Sequence, residues 1–170
     1  MAKMSVIGFG GGCHWCTEAV FQSVIGVSKV EQGWISPAGK DFFSEGVLVH
    51  YDPLEVSLEL LVAVHLHSHS STADHAMREK YRSAVYVFNE VQGDQVMATM
   101  VRLKKDFAAP FVTQILGFGK FTLNSDEFLD YYATDSERPF CQRYIMPKLQ
   151  MLTAKFHGRI KSLGEKEIDR

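Results

Sequence analysis

The stretch Ser5-Val6-Ile7-Gly8-Phe9-Gly10-Gly11-Gly12-Cys13-His14-Trp15-Cys16-Thr17-Glu18-Ala19-Val20-Phe21-Gln22-Ser23-Val24 sets the fold class. Residues 5–9 are short and mostly apolar, a strand that Gly10-Gly11-Gly12 stops. From residue 15 to about residue 24 the pattern turns helical, with Cys16, Val20 and Val24 recurring at i+4 spacing. Gly26 marks the end of that helix. Glycines in a row permit positive φ and a sharp strand-to-helix turn, with room for a ligand near the backbone. Cys13 then sits at a helix N-terminus, where unpaired N–H groups and the helix dipole favour an anion. A thiolate is such an anion, and its pKa falls in this setting. Trp15 beside it offers an apolar wall to a small uncharged substituent.

Outward from this unit, strands and helices alternate. Residues 27–34 read as a strand, Pro37-Ala38-Gly39 as a loop, and residues 46–51 as a strand closed by Asp52-Pro53. Ser57 is placed to cap a helix carrying Leu58, Leu61, Val62 and His65 on one face. Residues 67–75, rich in His and Ser, read as a loop. Residues 83–88 form a strong strand pattern. Asn89 and Gln92 look like a capping pair, opening a helix with Val96, Met97, Met100, Leu103 and Phe107 at helical spacing. A further helix is expected over 126–134 with Ser125 as its cap, and the charged tail after Phe156 is expected to fray. Some connections are too short for parallel crossovers. The expectation is therefore an α/β (α+β) fold, a two-layer sandwich with a mixed, ferredoxin-like sheet.

The chain has 170 residues and 46% hydrophobic content, enough for one domain, 1–170, with a real core. Its 18 Lys plus Arg against 20 Asp plus Glu leave a net charge of −2, so there is no electrostatic case for nucleic acid or an anionic membrane as partner. The N-terminal stretch before Gly8 is too short for a secretory signal. No later stretch reaches the roughly 18 apolar residues of a membrane span. A cytoplasmic monomer is the default expectation.

Cys13, Cys16 and Cys141 are the cysteines, an odd, small number that does not describe a disulfide scaffold. Cys13-x-x-Cys16 leaves three readings open: a buried cysteine after a glycine turn, a thioredoxin-like redox pair, and half of a zinc site. The zinc reading needs a second ligand pair, which Cys141 alone does not supply. The i+4 row of Cys16, Val20 and Val24 argues that Cys16 faces the core as an inert thiol. His65, His67 and His69 form His-x-His-x-His, with His75 beyond, a pattern capable of binding metal. A metal-dependent hydrolase built on that cluster is one competing class. His65 is expected on the apolar helix face as a hydrogen-bonded core residue, and no metal is expected.

Gly12-Cys13-His14-Trp15-Cys16-Thr17-Glu18-Ala19-Val20-Phe21 resembles the signature of the A-type peptide methionine sulfoxide reductases, Gly-Cys-Phe-Trp followed by a helix with Glu and Phe. Further matches follow in order: Gly26-Val27, Glu45 ahead of Tyr51-Asp52-Pro53, Tyr81-Arg82-Ser83-Ala84, and Phe140-Cys141 with Pro147-Lys148 downstream. The resemblance covers about residues 5–155. It implies reduction of methionine S-sulfoxide, free or in proteins. It also implies that Cys13 is the nucleophile and that Glu45 gives a proton to the sulfoxide oxygen, a task suited to a carboxylic acid whose pKa partial burial raises. Tyr81 is implied to hydrogen-bond the same oxygen, and Trp15 to pack on the S-methyl group. Cys13 becomes a sulfenic acid that a second thiol must trap before over-oxidation. By resemblance that thiol is Cys141, with Cys16 as the alternative. Thioredoxin would then reduce the disulfide, without metal or organic cofactor.

The chain departs from the family pattern in three places. His14 stands where the family usually has Phe, which leaves three readings open: it tunes Cys13, it contacts substrate, or it is a partly solvated neutral imidazole. The loop between Trp34 and Glu45 is short and lacks a tyrosine, and Phe42 and Phe43 cannot replace the hydroxyl. The family's Gly-Asn-Asp stretch is replaced by residues 70–78, with Asp74 the nearest acid. His69 matches a histidine of the family. These departures motivate a second function class, a redox- or sulfoxide-sensing binding protein with weakened catalysis.

Overall fold

The computed structural model describes residues 3–74 and 76–161. The strand–glycine–helix unit forms as the sequence predicts: β1 spans Ser5–Gly10 and α1 spans His14–Gln22 with Cys13 at the N-cap. Next come β2 (Val27–Pro37), β3 (Ser44–Tyr51), α2 (Leu58–Ser68), β4 (Ala84–Val87) and α3 (Glu90–Leu103). The expected caps are present. The Ser57 hydroxyl accepts the Leu60 amide at 3.0 Å and the Asn89 side chain accepts the Gln92 amide at 2.9 Å. Gln92 reaches back to accept the Phe88 amide at 2.8 Å, which completes a reciprocal cap. On α3, Val96 and Met100 are buried, whereas Met97 is 55% exposed. The helix ends at Leu103 in a 3₁₀ turn, so Phe107 lies beyond it.

The sheet is mixed, as expected, but it is not the open layer of a two-layer sandwich. Its strands close into a barrel in the order β1-β3-β2-β5-β4. Closure is made by β5 (Gln114–Leu123), a strand whose two interior glycines and irregular alternation hide it in the sequence. It pairs antiparallel with β2 and parallel with β4, joining what would otherwise be two sheet edges.

A barrel of so few strands is narrow, and its lining shows it. Ile35, Leu48, Ala84 and Tyr86 form a strand-only cluster inside. Space for them comes from glycine: a Cβ on Gly8 would lie 2.8 Å from Ile35 Cδ1, and one on Gly46 2.6 Å from Ile35 Cγ2. The opposite side chains of the same strands, Ile7, Phe9, Val47, Val49 and Val85, pack outward with the helices in the main core. Alternation along each strand thus feeds two separate apolar clusters.

The helix expected over 126–134 is broken. A 3₁₀ turn (Asp126–Phe128) is followed by extended Leu129, then Asp130 at φ 52°, and only then α4 (Tyr131–Thr134). Ser125 makes no side-chain cap there. The cause is long-range: buried Glu18 accepts the amides of Asp130 and Tyr131 at 3.0 and 3.1 Å, holding the chain in a turn that a continuous helix would not allow. A π-helical turn (Cys141–Ile145) then leads into α5 (Met146–Lys155), whose Leu149 and Leu152 complete the main core. His75 and the last part of the charged tail, 162–170, lie outside the described residues.

Candidate active site

The turn that presents Cys13 is built from backbone constraints the sequence announced and from side chains it did not. Gly11 sits at φ +150°, and a Cβ there would lie 2.5 Å from the His69 ring, so only glycine fits. His65, buried and held neutral because burial pushes its pKa well down, donates from Nε2 to the Gly10 carbonyl at 2.8 Å. Arg78 donates to the carbonyls of Gly11 and Tyr81, at 3.0 and 2.9 Å, and ties the glycine turn to the loop before β4.

His69 donates from Nδ1 to the His65 carbonyl and faces the Ser83 hydroxyl with Nε2 at 2.7 Å. His67 instead stacks on Phe107, with ring centroids 4.6 Å apart. The three histidines therefore do not converge. His65 and His69 brace the turn, and among the described residues no group of three or more His, Cys, Asp or Glu is arranged to hold a metal ion.

Cys13 is half-buried and lines a small cleft of about 50 Å³ together with Gly11, Gly12, Cys16, His69 and Lys148. Its thiol is lowered to about 7. The largest cause is a hydrogen bond from the Cys16 thiol, and the Trp15 and Cys16 amides of the helix head add to it; burial and the charge of Glu45 oppose. The same bond pushes the Cys16 thiol up, with burial adding to it. Cys16 is thus both a core-facing residue, as its row with Val20 and Val24 predicts, and a direct partner of Cys13. Cys141 has no exposed surface; burial pushes its thiol up, and its charge is felt at Cys16.

Glu45 reaches the site from β3, opposite Trp34 of β2 in register. It is 4% exposed, with Oε1 2.9 Å from His14 Nδ1 and Oε2 4.0 Å from the Lys80 ammonium. Its amide donates to the Lys80 carbonyl at 2.9 Å, and Ser44 clamps the same carbonyl at 2.6 Å. The loop carrying partly buried Tyr81 is therefore fastened beside the carboxyl, and the Lys80 ammonium lies 5.2 Å from the Tyr81 ring centroid. Trp15 is stacked on Tyr131, centroids 4.0 Å apart and planes 5° from parallel, with Phe140 edge-on at 5.5 Å. Phe42 and Phe43 are exposed and outside this cluster.

Cys13, Cys16, His14, Trp15, Glu45 and Tyr81 are thus brought to one end of the barrel, with Cys141 behind Cys16. Arg78, Tyr131, Gln32 and Asn124 were not legible as site residues. Gln32 lies in β2, Arg78 and Asn124 in loops and Tyr131 at the start of α4, and no local pattern in the sequence marks any of them.

Residues 5–160 match the family model described as Peptide methionine sulfoxide reductase. The chain is 31% identical to the peptide methionine sulfoxide reductase MsrA 1 of Rhodopirellula baltica, over 91% of this chain and 88% of that protein. Among solved structures it is similar to reduced Mxr1 from Saccharomyces cerevisiae, with a TM-score of 0.72 at 16% identity over 79% of this chain and 87% of that one. It is similar also to Mxr1 in complex with Trx2, with a TM-score of 0.61 at 17% identity over 74% and 83% of the two chains. A half-exposed, acidified thiol at a helix head, a buried carboxyl beside it and this likeness along nearly the whole length place the chain in the peptide methionine sulfoxide reductase family, which is a family of oxidoreductases.

Proposed function

We propose that this chain reduces methionine S-sulfoxide, free or in proteins, with Cys13 as the nucleophile. The supporting observation is the pairing of a thiol lowered to about 7 with a buried glutamate close enough for its charge to act on that thiol. The Cys13 thiolate attacks the sulfoxide sulfur while Glu45 delivers a proton to the oxygen, and Tyr81 hydrogen-bonds that oxygen. A bond forms between Cys13 Sγ and the substrate sulfur, which now carries a hydroxyl. The hydroxyl then passes to Cys13 Sγ as the sulfur–sulfur and substrate sulfur–oxygen bonds break, leaving Cys13 as a sulfenic acid and releasing the thioether. Trp15 packs on the S-methyl group, and His14 lies beside the same pocket. Only thiols and a carboxylic acid take part, so no metal or organic cofactor is required.

A second thiol then condenses with the sulfenic acid, releasing water and forming a disulfide. Cys141 matches the family's resolving position, and the interaction of the Cys13 and Cys16 thiols in one cleft supports Cys16 as the alternative. Thioredoxin is the proposed reductant, by exchange at the exposed sulfur; the solved complex of the structural relative Mxr1 with Trx2 supports this choice.

Replacing the resolving cysteine by serine leaves one turnover intact and blocks recycling. Quench-flow product counts on the Cys16→Ser and Cys141→Ser variants identify which thiol it is. Serine at position 16 keeps an O–H donor for Cys13, so the first turnover reads chemistry alone.

The deciding experiment follows NADPH oxidation with thioredoxin and thioredoxin reductase on each epimer of methionine sulfoxide. The S epimer is consumed and the R epimer is not. No turnover of either epimer by folded, reduced protein would overturn the proposal. The sensing alternative is not favoured, because the family model and the similar proteins are those of reductases. The proposal extends to a single-domain, cytoplasmic monomer; no helix among the described residues is long and apolar enough to cross a membrane. The order β1-α1-β2-β3-α2-β4 supports reading the first part of the chain as a ferredoxin-like unit onto which β5 is added.

A further inference from the structure

A chain of side-chain amides, buried Gln32 and partly exposed Asn124, runs from the far side of the barrel end to His14. Gln32 Nε2 donates to the Phe128 carbonyl at 2.8 Å and to the Glu18 carboxylate. A carbonyl and a carboxylate only accept here, so the Gln32 NH₂ must face them and its Oε1 must face the other way. Oε1 accepts from Asn124 Nδ2 at 2.8 Å. The Asn124 orientation is fixed a second time, because its Oδ1 accepts the Ser125 amide at 3.1 Å. Asn124 Nδ2 therefore also faces His14 Nε2, at 3.3 Å.

A ring nitrogen that meets a donor must offer its lone pair. The His14 proton then resides on Nδ1, the atom 2.9 Å from Glu45 Oε1. The N–H is not yet well aligned with that oxygen, and Nδ1 is buried; among the described residues Glu45 is the acceptor within reach. Glu45 Oε2 is likewise buried and without a hydrogen bond. Trp15 and Trp34 pack against the imidazole in edge-on contacts, with centroids 6.0 and 5.8 Å away.

We propose that His14 is a positioning residue for the proton donor: its Nδ1–H, oriented by Asn124 and Gln32, occupies Oε1 of Glu45 and leaves Oε2 as the oxygen that carries and delivers the proton. This rests on the reading of Glu45 as the acid in sulfoxide reduction. It gives the departure from the family's phenylalanine a chemical consequence, since a phenyl ring has no donor. It also supplies the acid with a hydrogen-bond partner that the short, tyrosine-free loop does not. The charge left on Glu45 after proton transfer is stabilised by the same N–H.

The experiment compares wild type, His14→Phe and His14→Asn in single-turnover reduction of methionine sulfoxide across pH. Asparagine places an N–H donor close to the position of Nδ1. The ionisable groups facing Glu45 are Cys13 and His14 from the head of α1 and Lys80 and Tyr81 from the loop before β4; Glu18 lies at the far end of the amide chain.

Removing a donor to a carboxylate favours its protonated form. His14→Phe therefore slows the turnover by about tenfold or more and moves the high-pH decline upward by roughly one unit, the equivalent of one hydrogen bond to a charged group. His14→Asn restores most of the rate and the position of the decline. Nitrogen-15 shifts of wild-type His14 show a protonated Nδ1 and an unprotonated Nε2. Wild-type turnover with His14→Phe unchanged in rate and pH profile overturns the proposal while leaving the reductase reading intact, as does equal loss in both variants with an unmoved profile, or the opposite tautomer. A wild type inactive on both epimers overturns both.

Discussion

Cys13→Ser is expected to produce no methionine from the S-sulfoxide even in a single turnover, the largest effect of any substitution in this chain. A hydroxyl with an ordinary pKa is not ionised near neutral pH and cannot accept the oxygen as a sulfenic acid, so the variant falls to background. The wild-type thiol carries its own pH signature. With a pKa lowered from 9.0 to about 7, half of Cys13 is thiolate near pH 7, against a few per cent for an ordinary cysteine. Alkylation by iodoacetamide, followed by mass spectrometry at Cys13, should rise with pH through a midpoint near that value. The dominant stabiliser of the thiolate is the Cys16 thiol, so Cys16→Ala moves the midpoint upward while Cys16→Ser moves it less. A wild-type midpoint near 9.0, or one indifferent to Cys16→Ala, would remove the proposed basis of reactivity.

Glu45→Gln is expected to slow single-turnover reduction by roughly 10²- to 10⁴-fold, the range for loss of a positioned general acid. An oxide leaving sulfur is a poor leaving group until it is protonated, and the amide has no proton to give. The nucleophile should not lose reactivity. An ionised Glu45 raises the Cys13 pKa and a neutral amide does not, so the alkylation midpoint of the variant lies at or below that of the wild type. Slower reduction with an undiminished or more reactive Cys13 separates loss of the acid from a collapsed site. If Glu45→Gln instead turned over at the wild-type rate, another group would be the proton source.

Both expectations rest on residues of very different legibility. Cys13 was plain in the sequence because everything that makes it a nucleophile is local: a glycine turn, a helix start and the unpaired amides that follow. The caps at Ser57 and Asn89 were legible for the same reason, each satisfied within three residues. Glu45 and Tyr81 were found through resemblance alone, since nothing near either of them marks it as an acid or a hydroxyl donor.

His65 and His69 show the opposite case, in which local spacing points the wrong way. Their alternation with His67 suggests a ligand set, yet His-x-His on a helix sends successive rings to different sides. Two of them brace the glycine turn, and the third stacks on Phe107. The broken segment around Asp130 and the unseen strand β5 failed together. The backbone partners of the first are on Glu18, and those of the second are on β2 and β4, both far off in the chain.

By itself, the sequence determined the alternation of strands and helices, the reactive end of α1 and the family to which the chain belongs. These depend on hydrogen bonds and side-chain periodicity confined to a few neighbouring residues. Only the tertiary structure decided that the sheet closes into a barrel, that Glu18 breaks the helix expected over 126–134, and that the His14 ring meets Glu45. Each of these is a contact between groups whose desolvation and pairing are set when distant segments pack together, and no local pattern encodes that meeting.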